Sequence, residues 1–124
     1  MTEELVALET AKLLKEKGFN EYCKDIINHK GIIMETIFRT SKDLPKLFYP
    51  CPTQYIAQKW LRETKNLHIE IYRSAVGYGY AIVKADNGTW QEDDDSRGPN
   101  DGGLWDTYEE ALEAGIQEDA VKIP

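Results

Sequence analysis

The chain has 124 residues, of which 41% are hydrophobic and 30% charged, and its mean hydropathy is −0.56. These values predict one domain over residues 1–124 with a single core, and they exclude a disordered chain. The N-terminus is acidic and no long apolar run follows it, which argues against a secretory signal or a membrane span. We therefore expect a cytoplasmic protein that does not contact membranes and that keeps Cys23 and Cys51 as reduced thiols.

The net charge of −7 is unevenly distributed along the chain. Residues 86–124 contain twelve acidic and two basic residues, a net charge of −10, whereas residues 1–85 have a net charge of +3. The acidic C-terminal third is therefore not expected to bind nucleic acid, and its charge favours either solubility or a basic partner.

Residues 3–17 are strong helix formers and predict the first helix, which Gly18 is placed to end. The apolar stripe of this helix consists of Ala7, Leu8, Ala11 and Leu14. Val6 and Leu13 fall on another side of the helix. The helix therefore either is buried over a broad face or meets a partner chain there. For a partner chain, a two-fold homodimer is the default expectation. Residues 19–30 fit a helix or a strand.

The β-branched and aromatic residues at 32–38 predict a strand. Residues 39–52 contain three prolines, which disfavour a helix, so we expect an extended connection over the surface. Thr53 then suits the N-cap of a second helix, and Asn66 its C-terminal end. The apolar stripe of this helix comprises Ile56, Ala57, Trp60, Leu61 and Thr64.

The alternating pattern of residues 67–72 predicts a half-buried strand. A turn at residues 75–77 and a second strand at 78–84 complete an antiparallel hairpin. Residues 86–88 are a strong turn signal, and residues 89–91 add a short edge strand.

The polar, glycine-rich residues 92–103 predict a mobile loop. Thr107 and Glu110 match a capping box that opens the last helix. The buried stripe of that helix comprises Tyr108, Ala111, Leu112, Gly115 and Ile116. The element order α-β-α-β-β-(β)-α predicts the α+β class, with helices packed on one face of a small, mainly antiparallel sheet.

Several short segments resemble those of small uncharacterised proteins from gut Bacteroides genomes and their phages. The matching segments are residues 9–12, 15–19, 51–54 (CPTQ), 57–63 (AQKWLRE), 66–71 (NLHIEI) and 107–115 (TYEEALEAG). The resemblance covers both ends and the centre of the chain, and it is weak at residues 21–47 and 73–106. It implies a phage or mobile-element setting, in which regulators, host-takeover factors and inhibitors of bacterial defence are more plausible than metabolic enzymes. It implies no activity and no catalytic residue.

The reactive residue types match no familiar catalytic or metal-binding pattern. Cys51 precedes a helix, and His68 would be its base in a Cys-His dyad, but no nucleophile signature surrounds this cysteine. The two cysteines and two histidines lack the spacing of a zinc site. An EF-hand loop starting at Asp93 fails because Leu104 stands where a glutamate is required, and residues 77–79 lack the third glycine of a nucleotide motif. We therefore expect no metal, no cofactor and no catalytic residue.

The strongest candidate surface is the strand face that carries His68, Glu70 and Tyr72, which Tyr78 and Tyr80 of the next strand would join. Aromatic rings with polar tips beside a histidine and a glutamate suit a peptide, a base or a small ligand. Cross-strand aromatic pairs also stabilise sheets without any ligand. Two functions follow: a binding module that contacts a host macromolecule such as a host protein, or capture of a small ligand or nucleotide signal on this surface. Catalysis is the least supported reading.

Overall fold

The computed structural model describes residues 4–86, 89–94, 98–100 and 103–123, and for residues 37–39, 41, 84–86 and 89–94 it describes the backbone only. Three helices and two small antiparallel sheets make up the described fold, which confirms the α+β class. The helices are α1 (Leu8–Glu16), α2 (Gln54–Lys65) and α3 (Tyr108–Val121). The strands are β1 (Cys23–Asn28), β2 (Ile33–Arg39), β3 (Phe48–Pro50), β4 (Leu67–Ser74), β5 (Gly77–Asp86) and β6 (Thr89–Asp94).

The first sheet has the strand order β2-β1-β3 and corrects the prediction of a single sheet. Its central strand comes from residues 19–30, whose conformation the sequence left open. Its strand β3 lies within residues 39–52, for which we expected an extended connection over the surface. Residues 45–47 are exposed as predicted, but Pro50 and Cys51 are buried, so the connection does not stay on the surface throughout. Proline is compatible with β3 because this strand lies at the edge of the sheet, where a missing N–H breaks no ladder.

Helix α1 begins five residues later than predicted from residues 3–17, at Leu8. Residues 4–6 instead run alongside residues 52–54: the N–H of Val6 donates to the Pro52 carbonyl at 3.0 Å, and the N–H of Gln54 donates to the Glu4 carbonyl at 2.8 Å. Val6 precedes the helix and is buried in the core, whereas Leu13 is half-buried. The homodimer stays a prediction.

Helix α2 has the predicted ends. The hydroxyl of Thr53 accepts the N–H of Ile56 at 3.2 Å, and Asn66 adopts the left-handed conformation with φ 56°. Its buried face is shifted from the predicted stripe, because Gln54 is buried while Ile56 and Thr64 are exposed. The buried positions are Gln54, Ala57, Trp60 and Leu61.

The second sheet has the order β4-β5-β6 and contains the predicted hairpin. Strand β6 pairs with β5 through Asp94, so residues 92–94 belong to a strand and not to the predicted mobile loop. The predicted turn at residues 86–88 lies mainly outside the described residues, as do parts of residues 95–102.

Helix α3 packs across β4 and β5. Its N-terminus shows the predicted capping pair: the hydroxyl of Thr107 accepts the N–H of Glu110 at 3.1 Å and donates to Glu110 Oε1 at 3.0 Å. Tyr108 is 44% exposed and lies outside the buried stripe, which corrects the prediction for this residue. The helix buries Ala111, Leu112, Gly115, Ile116, Asp119 and Ala120.

The core lies between the helices and both sheets. The ring of Phe19 meets Trp60 of α2 edge to face, with centroids 5.3 Å apart. The same cluster includes Leu14 of α1, Ile69 of β4 and Ile116 of α3. Among the described residues, no helix combines the length and the apolar character needed to cross a bilayer.

Candidate functional site

The register of β4 and β5 places the five residues of the predicted surface on opposite faces of the sheet. Residues directly opposite one another in an antiparallel pair project to the same face of the sheet. Tyr80 is opposite Ile71, and Tyr78 is opposite Arg73, so both tyrosines belong to the face opposite that of His68, Glu70 and Tyr72. The prediction that all five share one surface was wrong, because the residue numbers alone did not give the hairpin register.

Both tyrosines are engaged on the helix side of the sheet. Tyr80 has no solvent exposure and its ring lies 5.5 Å from that of Trp105. Tyr78 lies beneath the guanidinium of Arg73, whose Cζ is 4.7 Å from the ring centroid, and it meets Tyr108 edge to face at 6.2 Å. These contacts link β5 to α3 and to the segment before it.

His68, Glu70 and Tyr72 remain together on the outer face of β4. Their partners on β5 are Val83, Ala81 and Gly79, which are small and buried. A Cβ added to Gly79 would stand 2.4 Å from Cζ of Tyr72, so the tyrosine ring covers this glycine. His68 Nε2 lies 3.3 Å from Oδ1 of Asn66. The outer face of β4 therefore keeps the polar groups of these three residues beside buried residues of β5.

A second candidate site lies where the N-terminal ends of the three helices meet, and the sequence did not predict it. A cavity of about 500 Å³ opens there. We call it the acidic pocket; it is lined by Glu4, Leu5, Ala7, Gln54, Thr107, Glu109, Glu110 and Glu113. These residues come from the segment before α1, the first residue of α2, and the N-cap and first two turns of α3, so the pocket exists only after the chain has folded.

Glu113 holds the pocket together. Its Oε2 accepts hydrogen bonds from the N–H of Ala7, at 2.9 Å, and from the hydroxyl of Thr10. Its Oε1 accepts from Nε2 of Gln54 at 3.0 Å. The hydroxyl of Thr10 also accepts from Nε2 of Gln117 at 2.9 Å. One carboxylate thus joins α1, α2 and α3, and the negative charge is fixed at the base of the pocket.

Gln54 forms part of the wall and is only 5% exposed. Its Nε2 donates both hydrogens, to the Glu109 carbonyl at 2.9 Å and to Glu113 Oε1. Its Oε1 accepts no hydrogen bond from any residue that the structure describes. This oxygen is not among the described buried side-chain atoms that lack a partner, so solvent reaches it.

The charge of the acidic pocket is strongly one-sided. Four glutamates line it, and no lysine or arginine is among its lining residues. Each helix N-terminus contributes a partial positive charge of roughly one half, so three of them offset only about 1.5 of the four negative charges. The pocket consequently attracts cations.

The thiols are held in an unreactive state. Burial raises the pKa of Cys23 to about 12, assisted by Cys51, Asp25 and Glu21, and it raises the pKa of Cys51 to about 11. The Sγ of Cys51 donates to the Val6 carbonyl at 3.4 Å. Neither cysteine forms a disulfide. A nucleophilic thiolate is disfavoured at both positions.

Within the described part of the chain, no three or more His, Cys, Asp and Glu side chains are grouped so that they could hold a metal ion. The segment tested for an EF-hand lies partly outside the described residues. Comparison with models of protein families, with curated proteins and with solved structures finds no match. Any functional assignment therefore depends on the geometry and charge of the two candidate sites.

Proposed function

We propose that this domain is a binding module that recognises a basic segment of another protein. The observation that supports the proposal most directly is the acidic pocket, a cavity of about 500 Å³ with four glutamates and no basic residue in its wall. Half of its lining residues belong to the acidic C-terminal third, whose net charge is −10. Such a field raises the local concentration of a basic partner and speeds its association.

The setting we propose is that of a phage or mobile-element accessory protein, acting in the cytoplasm on a host protein. This setting is consistent with the resemblance of the segments around residues 51–71 and 107–115. It favours a regulator or an inhibitor of host defence, which acts by contact and requires no catalytic group. A nucleic acid partner is disfavoured for the acidic third, because phosphate groups would be repelled there.

The experiment that tests the proposal measures binding of fluorescently labelled peptides of equal length. One is rich in lysine and arginine, one replaces these residues with glutamine, and one is acidic. We expect saturable binding of the basic peptide that weakens steeply between low and high salt, since exposed charges are screened. Equal binding of all three peptides, or binding that does not respond to salt, would contradict the proposal.

Capture of a small ligand or nucleotide signal is a second candidate function, now confined to the outer face of β4. The observation that favours it is that His68, Glu70 and Tyr72 share one face of β4 and that Tyr72 is 39% exposed there. Calorimetric titration with a panel of nucleotides tests it, with Tyr72→Ala as the variant. If the wild-type protein binds none of them, or if the variant binds with unchanged affinity, this assignment fails.

A further inference from the structure

We propose that the free edge of β4 binds an extended, acidic segment of a partner protein as an additional strand. The binding stretch runs from Ile71 to Arg73 and ends just before the hairpin turn to β5. It lies within residues 1–85, where basic residues outnumber acidic ones. This second surface is independent of the acidic pocket and goes beyond the proposed function.

The backbone of β4 is paired on one side only. In the sheet order β4-β5-β6 it is an outermost strand. Bonds between antiparallel strands alternate, so every second residue of an edge strand turns its N–H and C=O away from the neighbouring strand. The carbonyl of Ile69 accepts a hydrogen bond from Nε2 of Gln58 on α2 at 3.1 Å, which identifies Ile69 as one of these residues. By the same alternation, Ile71 and Arg73 direct their backbone groups to the open edge.

The bonds of β5 give the same alternation independently. Tyr78 is paired with Arg73, and it exchanges backbone bonds of 2.8 and 2.9 Å with Trp105, on the side away from β4. Tyr78 and Arg73 therefore exchange no backbone bonds with each other. Among the described residues, no other group bonds to the N–H or C=O of Ile71 or Arg73. Two donors and two acceptors thus remain for an incoming strand.

The side chain of Arg73 leaves this edge open. Natural edge strands are often protected by a charged side chain. The guanidinium of Arg73 instead turns inward over β5, where its Cζ lies 4.7 Å from the centroid of the Tyr78 ring. Gln58 covers only the Ile69 carbonyl, so the protection ends before Ile71. The open stretch is suited to strand addition, in which main-chain bonds supply affinity and side-chain pairs supply specificity.

The charge at this edge favours an acidic segment. Arg73 contacts the Tyr78 ring and forms no ion pair with a described residue. Because the ring holds the guanidinium flat, its N–H donors are oriented to bind a carboxylate through two bonds. Helix α2, which flanks the edge, carries three basic residues and one acidic residue. In an antiparallel addition, an aspartate or glutamate would lie opposite Arg73, and the residue two positions later would lie opposite Ile71.

The test is an NMR titration of the full chain with a seven-residue peptide of threonines in which a glutamate and a valine stand two positions apart. Two further peptides carry glutamine or lysine in place of the glutamate. We expect the glutamate peptide to shift the backbone amide signals of Ile71 and Arg73 and to slow the exchange of both amides with solvent. The glutamine peptide should bind about two- to fivefold more weakly, the range of one exposed ion pair, and the lysine peptide more weakly still.

A fourth peptide isolates the main-chain bonds. It keeps the glutamate and the valine but is N-methylated at both, which removes the two N–H groups that would bond to β4. We expect it to cause no shift at Ile71 or Arg73. Binding as tight as that of the unmethylated peptide would overturn strand addition.

Two protein variants that each lose one positive charge test the acidic preference. Arg73→Gln should bind the glutamate peptide no more tightly than the glutamine peptide. Lys30→Gln, at the exposed turn of the other sheet, should bind like the wild type. Thermal melts verify that both variants fold, and the peptide series on the wild type decides the question if Arg73→Gln does not.

The remaining outcomes separate this proposal from the proposed function. Equal affinity of the wild type for the glutamate and glutamine peptides would overturn the acidic partner. Absence of any shift at Ile71 and Arg73 with every peptide would overturn the β4 edge as a binding surface. Neither result bears on the acidic pocket, whose test uses basic peptides.

Discussion

Gly115 of α3 lies so close to Ile69 of β4 that a Cβ added to the glycine would stand 2.9 Å from the Ile69 Cγ2 atom. The same Cβ would be 3.3 Å from Cγ of Tyr80. Ile69 is 7% exposed and Tyr80 has no exposure, so neither can move away easily. The glycine therefore sets the distance between the helix and the sheet.

Replacing Gly115 with alanine should destabilise the protein. Overpacking of a dense core typically costs about 1–3 kcal/mol, whereas the gain in helix propensity is about 1 kcal/mol. We expect the free energy of unfolding in urea to fall by about 1 kcal/mol. Gly79→Ala is the matched control, because its Cβ would meet the ring of Tyr72, which is 39% exposed and can swing aside. A Gly115→Ala variant as stable as the wild type would contradict the packing described here.

Asp119 should make the stability depend on pH. Burial raises the pKa of this carboxyl to about 7, Glu118 adds to the effect and Lys122 opposes it. Neither carboxylate oxygen has a hydrogen-bond partner among the described residues. The folded state therefore holds the proton more tightly than the unfolded state, and the free energy of unfolding should decline as the pH rises from about 4 to about 7.

The Asp119→Asn variant cannot ionise and should lose most of this slope. A pKa shift of this size changes the free energy of unfolding by at most about 4 kcal/mol between pH 4 and pH 7. Urea unfolding at several pH values measures the effect, and Glu63→Gln, on an exposed face of α2, is the control that should keep the wild-type slope. An unchanged slope in Asp119→Asn would show that another group is responsible.

Local signals in the sequence were sufficient to predict both ends of α2, the start of α3 and the β4–β5 hairpin. Thr53 and Thr107 are N-caps in the structure, and Asn66 ends α2, because capping depends on residues only a few positions apart. The alternation over residues 67–72 likewise gave the correct inner and outer faces of β4. These features are encoded within single turns and strands.

Features that depend on distant residues were not predictable in this way. Strand β3 forms because residues 48–50 pair with β1, and no local pattern marks that pairing. The face of Tyr80 follows from the hairpin register, and a change of one residue in that register would have reversed it. The acidic pocket combines residues near positions 5, 54 and 110, and no local pattern brings these together.

Loss of the Thr53 hydroxyl should destabilise the N-terminus of α2. Thr53→Ala removes the acceptor of the Ile56 N–H, and the expected loss of unfolding free energy is about 1 kcal/mol. Thr53→Ser keeps a hydroxyl at the same position and should retain most of the stability. Thermal or urea unfolding distinguishes the two variants. Equal losses in both would mean that the methyl group of Thr53, and not its hydroxyl, matters.

Both cysteines should resist modification in the folded protein. Cys23 is 4% exposed and Cys51 is 1% exposed, and burial raises the pKa of each thiol well above its ordinary value. An aromatic disulfide reagent at pH 8 should therefore react with neither thiol in native conditions and with both in urea. Rapid modification of one thiol in the native state would show that its strand opens frequently.

The hydrogen bond from Ala7 to Glu113 connects residues 106 positions apart, and this separation affects synthesis of the protein. Helix α1 has nine residues, and Ala7 provides no side-chain cap of its own. Helices of this length are marginal in isolation, so α1 must wait for residue 113 to leave the ribosome before its N-terminus is held. Until residue 113 has emerged, the N-terminal segment of the nascent chain remains accessible to chaperones and proteases.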